Sequence, residues 1–175
     1  MQSSVRLIKI LTVLLIVLSG ILFLIKRENR RAQDESSAEI ILYEVSGEDV
    51  SELTLSSGNS SCSLLCRDGI WVSASGSAVS QRSVDAILFQ LKALKATRII
   101  PASDASGNYG LEPPRSLLSF RLKNGEEHTI KLGDPAPIGD DYYLQLDDGP
   151  DVCTVSEFTA SRLGMAPEEL LEEKK

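Results

Sequence analysis

The chain has 175 residues, 42% of them hydrophobic, with 18 basic against 25 acidic side chains and a net charge of −7. Six basic residues and one acidic residue fall at or before Arg31, a net of +5, so everything after it carries −12. A surface of that sign repels polyanions, because nucleic-acid binding needs Lys and Arg to displace counterions; the same balance disfavours binding of the soluble part to anionic headgroups.

From Leu7 to Ile25 the sequence is "LIKILTVLLIVLSGILFLI", with Lys9 as its only charge. A hydrocarbon core of about 30 Å needs roughly 20 helical residues, and this run is long enough. A cleaved signal peptide has a shorter apolar region and a small-residue cleavage site, whereas "KRENRR" follows here and no Cys stands ready for a lipid. The run is therefore read as a retained single-pass anchor. Two basic residues stand at its N-terminal end, Arg6 before it and Lys9 near its start, and four follow, which by the positive-inside rule favours a cytoplasmic C-terminal side.

Residues 28–38, "ENRRAQDESSA", are polar and without periodicity. The predicted organisation is an anchor with basic flanks over 1–31, a linker over 32–38, a domain over 39–166 and a charged tail over 167–175. "EIILYEV" (Glu39–Val45) and "VSELTL" (Val50–Leu55) are expected strands. In "CSLLCRDGIWVS", Asp68-Gly69 is the dipeptide of a tight hairpin turn, so Ser61–Arg67 and Ile70–Ser73 should pair. Val84, Ile87, Leu88, Leu91 and Leu94 form one helical stripe, with Ser80 as its N-cap. "ATRIIP" (Ala96–Pro101) reads as one β-branched strand. "SLLSFRL" and "EHTIKL" flank Asn124-Gly125, a two-residue turn signal, and "YYLQL" and "VCTVS" flank "DDGPD". A short helix is expected from Ser156 through Leu163. Strands, a helix, then more strands predict an α+β fold with antiparallel sheets and one main amphipathic helix.

Several pieces in this order resemble the domain of unknown function 4340 family: "DGIWVS", "SVDAILFQLKALKATRII", "YGLEPPR", "FRLKNGEEHTIKLGDPAP" and "YYLQLDDGPDVCTV". The resemblance spans about Val50 to Leu163. It implies a membrane-tethered α+β protein associated with ABC-transport systems similar to the auxiliary components of gliding motility. It implies an extracytoplasmic domain too, against the charge count. No catalytic residue comes with it.

The chain has no Gly-Lys dipeptide, hence no P-loop, and neither G-x-G-x-x-G nor G-x-S-x-G. His128 is the only histidine and shares a strand face with Ile130 and Leu132, the place of a half-buried structural residue. Cys62, Cys66 and Cys153 are an odd set. On a strand, Cys62 and Cys66 lie about 13 Å apart at ~3.3 Å per residue, too far to bridge and poorly spaced for zinc with Cys153 and His128. No enzyme activity, cofactor or metal is expected. The alternatives are an envelope polysaccharide-binding module that stacks sugars on Tyr142, Tyr143 or Trp71, and a thiol- or His-dependent enzyme.

Two stiff segments are the expected partner contacts. One is "YGLEPPR", where Tyr109 and Leu111 pin the loop and Pro113-Pro114 impose extended backbone before a strand. The other is "GDPAPIGDDYY", carrying Asp134, Pro135, Asp140, Asp141, Tyr142 and Tyr143; its carboxylates lack EF-hand spacing. The expected role is a non-catalytic accessory subunit beside an ABC-transporter permease and its ATP-binding subunits.

Overall fold

The computed structural model describes residues 40–102, 107 and 109–172. The chain divides after Ala38, and all of the described residues fall in the second unit, Glu39–Lys175. The apolar run Leu7–Ile25 and the linker lie outside them. Among the described residues no helix is long and apolar enough to cross a membrane.

Among the described residues the fold is α+β, with antiparallel sheets and two α-helices. Strand β1 (Ile40–Tyr43) leads through a 3-10 turn to β2 (Val50–Ser57), β3 (Ser60–Arg67) and β4 (Ile70–Ser73). Helix α1 (Gln81–Lys92) and the short β5 (Leu94–Ala96) and β6 (Arg98–Ile100) come next. Four strands follow, β7 (Ser116–Leu122), β8 (Glu127–Pro135), β9 (Asp141–Leu146) and β10 (Val152–Ser156), and then α2 (Glu157–Leu163). The large sheet runs β4-β3-β2-β7-β8-β9-β10-β6, while β1 and β5 make a separate pair. It is two meanders joined where β2 meets β7, with α1, β5 and β6 crossing between them.

The hairpins follow from their turn residues. Asp68 (φ 51°) and Gly69 (φ 79°) both take the left-handed region between β3 and β4, as a two-residue primed turn demands. Asp147 and Asp148, both at φ 51°, do the same between β9 and β10. At Asn124-Gly125 the turn differs from the two-residue expectation. Leu122 N–H donates to Glu126 O at 2.8 Å, closing a three-residue loop with Gly125 at φ 92°. Asn124 Oδ1 accepts the Glu126 N–H at 2.9 Å, which fixes a turn followed by a glycine bulge.

Val84, Ile87 and Leu91 of α1 are fully buried and share one core with Leu53, Leu55, Leu64, Leu118, Ile130, Leu144 and Val155 of the large sheet. Burying each such side chain contributes roughly 1.5–3 kcal/mol. Ser80 caps the helix, its Oγ accepting Ser83 N–H at 3.4 Å. The helix stops at Lys92, short of the expected Leu94, because Leu94 enters β5 opposite Tyr43 and is buried there. At the other end Gln81 turns back on β4. Its Oε1 accepts Trp71 N–H at 3.1 Å and its Nε2 donates to Trp71 O at 2.8 Å.

Two other expectations are corrected. Ala96–Pro101 is not one strand: β5 pairs with β1 and β6 pairs with β10, and the chain bends at Thr97. The bend is held by Thr97 N–H donating to Thr154 O at 2.8 Å, and by the Thr97 hydroxyl bonding the Thr154 hydroxyl at 2.8 Å and the Asp141 carboxylate. Residues 167–172 are packed rather than a solvated tail. Leu170 is fully buried, its carbonyl accepts Ser80 N–H at 2.9 Å, and Glu172 N–H donates to Ala78 O at 2.9 Å.

Candidate functional site

The two motif-bearing segments meet at the β8–β9 end of the large sheet. Asp134 N–H donates to Tyr109 O at 2.8 Å. Gly110 stands at φ 69°, and a Cβ there would collide with the Asp134 carboxyl group. A Cβ on Gly133 would overlap the Tyr109 carbonyl oxygen and stand 3.1 Å from Leu111 Cδ2. Only glycine permits such an approach of two backbones. The Tyr109 and Tyr143 rings pack at 4.5 Å between centroids, tilted by 52°. Leu111 is buried and anchors the loop as expected.

The prolines behave differently from the expectation. Leu111 and Pro114 face each other across a tight turn that contains a cis Glu112–Pro113 bond, so the backbone doubles back before β7 instead of running straight into it. Burial of Leu111 holds one side of this turn, and Arg115 N–H, donating to Leu132 O at 2.9 Å, holds the other. The Arg115 guanidinium lies 5.8 Å from the Tyr142 ring centroid, within the range of a cation–π contact.

Across the β8–β9 connection Pro135 pairs with Tyr142, and Ala136 N–H donates to Asp141 O at 2.8 Å. The connection ends in an exposed tip in which Ile138 is 89% exposed beside Gly139 and Asp140. Asp134 and Pro135 are exposed as well, while Tyr142 and Tyr143 are half-buried. Asp141 is turned inward on Thr97. Of the predicted contact residues, Tyr109, Leu111, Asp134, Pro135, Tyr142 and Tyr143 are thus brought together; Asp140 sits at the tip and Asp141 serves the β5–β6 bend.

Behind Arg115 a crevice of about 220 Å³ separates this platform from α2, floored by Ser116, Leu132 and Gly164. Ser116 Oγ is buried there with no hydrogen-bond partner among the described residues. Glu157 and Ser161 form its far wall.

The groups with chemistry are placed as follows. His128, half-buried in β8, holds its ring against Tyr43 and Phe120 at 4.6 and 5.3 Å. Its Nδ1 is 2.8 Å from Asp147 Oδ2, a carboxylate oxygen that only accepts, so the proton resides on Nδ1. Asp147 Oδ1 also accepts Thr129 N–H at 2.7 Å. His128 Nε2 is buried and bonds no hydroxyl or thiol among the described residues. The three cysteines are free; Cys62 and Cys153 are buried. Burial, helped by Asp151, pushes the Cys153 thiol up to about 11, and burial, helped by Glu168, raises Cys62. No cluster of three or more metal-ligating side chains occurs among the described residues. Trp71 is in the core, not on a sugar-stacking surface.

Gly110, Gly133 and Arg115 were not singled out as individual residues by sequence reasoning. A lone glycine within a strand pattern, as in "KLGDP", is the signal that marks Gly133.

What the fold and the site define is an antiparallel α+β domain in which the Tyr109–Arg115 loop and the β8–β9 connection are locked together by close backbone contact. The chain belongs to the family described as Domain of unknown function (DUF4340), whose model matches residues 70–174. That span contains both segments of the platform. No curated protein and no solved structure matches the chain.

Proposed function

We propose that this protein is a non-catalytic interaction module, tethered by Leu7–Ile25 with its domain on the extracytoplasmic side, that serves as an accessory subunit of an ABC-type transport system in the cell envelope. The observation that carries the reading is the interlock of Gly110 and Gly133 with Asp134 and Tyr109, which fixes two loops into one platform. A partner docking on a fixed surface orders few side chains, so little binding free energy is lost to entropy. Confinement to one membrane raises the effective concentration of both proteins and lets a small interface suffice. The transporter association rests on the family resemblance alone.

The test is mild detergent solubilisation of the native membrane and affinity capture of the tagged full chain. Recovery of a permease and an ATP-binding subunit is expected. It should be lost when Ile138 and Asp140 are both changed to Ser, substitutions at an exposed tip that leave β9 intact. Capture of the tagged chain alone, under conditions that preserve other transporter complexes, sinks the reading.

A further inference from the structure

Away from the loop platform, two of the large exposed apolar side chains among the described residues flank one groove. Ile40, Ile41, Phe89 and Phe158 are 40%, 58%, 70% and 59% exposed; Ile70 and Ile138 are the other large exposed hydrophobics among the described residues. Phe89 of α1 and Phe158 of α2 flank a groove of about 370 Å³ that Lys92, Lys95 and Ala96 also line. Strand β1 borders the groove, since Ile41 pairs with Lys95 and so shares its side of the β1–β5 pair, while Ile40, opposite Ala96, points to the other side. The Arg162 guanidinium covers the Phe158 ring at 5.5 Å. Glu44 is the one carboxylate lining the groove. Apolar and aromatic side chains rimmed by Lys and Arg are the composition of a surface that lies in a membrane interface.

We infer that this face rests on the lipid bilayer, with Ile41, Phe89 and Phe158 entering the headgroup boundary and Lys92 and Arg162 meeting anionic headgroups. The inference rests on the reading of Leu7–Ile25 as a membrane anchor. Residues 26–39 separate that run from Ile40, a span of at most about 50 Å when fully extended. The first described strand therefore belongs to the face closest along the chain to the bilayer. A tether of that length turns weak attraction into steady contact. The net charge of −12 after Arg31 does not prevent this, because salt screens charges beyond about 8–10 Å; the groups at the face itself decide the sign.

The experiment uses the full chain carrying a protease site in the 32–38 linker, reconstituted into phosphatidylcholine vesicles with or without phosphatidylglycerol. After cleavage at about 0.15 M salt, where screening is in force, the released domain should sediment with the phosphatidylglycerol vesicles. Phe89→Ser together with Phe158→Ser should weaken retention by about tenfold or more. Lys92→Glu with Arg162→Glu should abolish the preference for anionic lipid. These sites are exposed, and unchanged emission from buried Trp71 verifies the fold of each variant. A wild-type domain that stays in the supernatant with both vesicles overturns the proposal, as does equal retention of the double Phe variant. A free domain that instead self-associates in sedimentation velocity overturns it and assigns the face to a second copy. Alkaline carbonate extraction of the uncleaved chain reads the anchor separately: if carbonate strips it, the anchor reading fails while the cleaved domain still reports on the face.

Discussion

Gly133 lies so close to Tyr109 that a side chain at residue 133 would overlap the Tyr109 carbonyl oxygen, and the amide of the next residue, Asp134, donates to that same oxygen at 2.8 Å. Gly133→Ala must separate the two loops and should destabilise the domain by about 2–3 kcal/mol. Gly58→Ala is the contrast. Gly58 has φ 55° but nothing within 4 Å of its Cβ position, so only backbone strain is added, about 1 kcal/mol. Thermal denaturation should rank the variants in that order, with Gly133→Ala lowering the midpoint on the order of 5–10 °C. Equal midpoints would mean the platform is not tightly interlocked.

The bend between β5 and β6 depends on a polar knot. The Thr97 hydroxyl sits among Thr154 O at 3.1 Å, the Thr154 hydroxyl and the Asp141 carboxylate. Thr97→Val keeps the shape and removes every one of these bonds, leaving Asp141 half-buried with its partner gone. A loss of about 1–3 kcal/mol is expected in urea denaturation. Asp141→Asn keeps an acceptor and should cost less. If Thr97→Val is neutral, the knot does not hold the bend.

Cys153 gives a pH dependence with a definite sign. Burial, then Asp151, raises its thiol from 9.0 to about 11. The folded state therefore keeps a proton that the unfolded state has lost between those values. Its contribution is full below pH 9 and disappears as pH rises through about 11. Cys153→Ala should flatten the fall in stability over that window, measured by denaturant titration at several pH values. In the native domain at neutral pH, alkylation of Cys62 and Cys153 should be slow compared with the unfolded chain, because the thiolate is the reactive form. Rapid labelling of either would revive a thiol chemistry for the protein.

Orientation is decided by a reporter. With the domain outside the cytoplasm, alkaline phosphatase fused after Lys175 is expected to be active. The four basic residues that follow the apolar run, Lys26, Arg27, Arg30 and Arg31, favour the reverse arrangement. An inactive phosphatase together with an active cytoplasmic reporter at the same site would place the domain inside.

Much of this architecture was legible from local chemistry. The Asp68-Gly69 turn, the stripe Val84–Leu91, the Ser80 and Ser156 caps and the strands around residue 124 each depend on neighbours in sequence, where dihedral preference and periodicity act. What escaped depends on distant partners. Thr97 reads as the middle of a β-branched strand; it bends because Thr154 and Asp141, far along the chain, offer it bonds. Leu170 reads as part of a charged tail, yet it is buried in a core whose members lie far earlier in the chain, Leu55 and Val79 among them. The platform was visible as two stiff segments, but their contact was not, because a glycine in sequence does not say which backbone it admits.

The grip of Gln81 on Trp71 has a consequence for how this domain can meet an extended chain. A strand at the end of a sheet offers unpaired amides and carbonyls on which another segment can add itself. On β4 the donor and the acceptor of Trp71 are already taken by one side-chain amide, so that margin is stoppered near its centre. Strand addition from a partner or a second copy must turn to the other margins among the described strands, β6, β1 and β5. Replacing Gln81 by a residue without an amide would open the β4 margin to strand addition, making Gln81 a guard of that edge as well as the first residue of a helix.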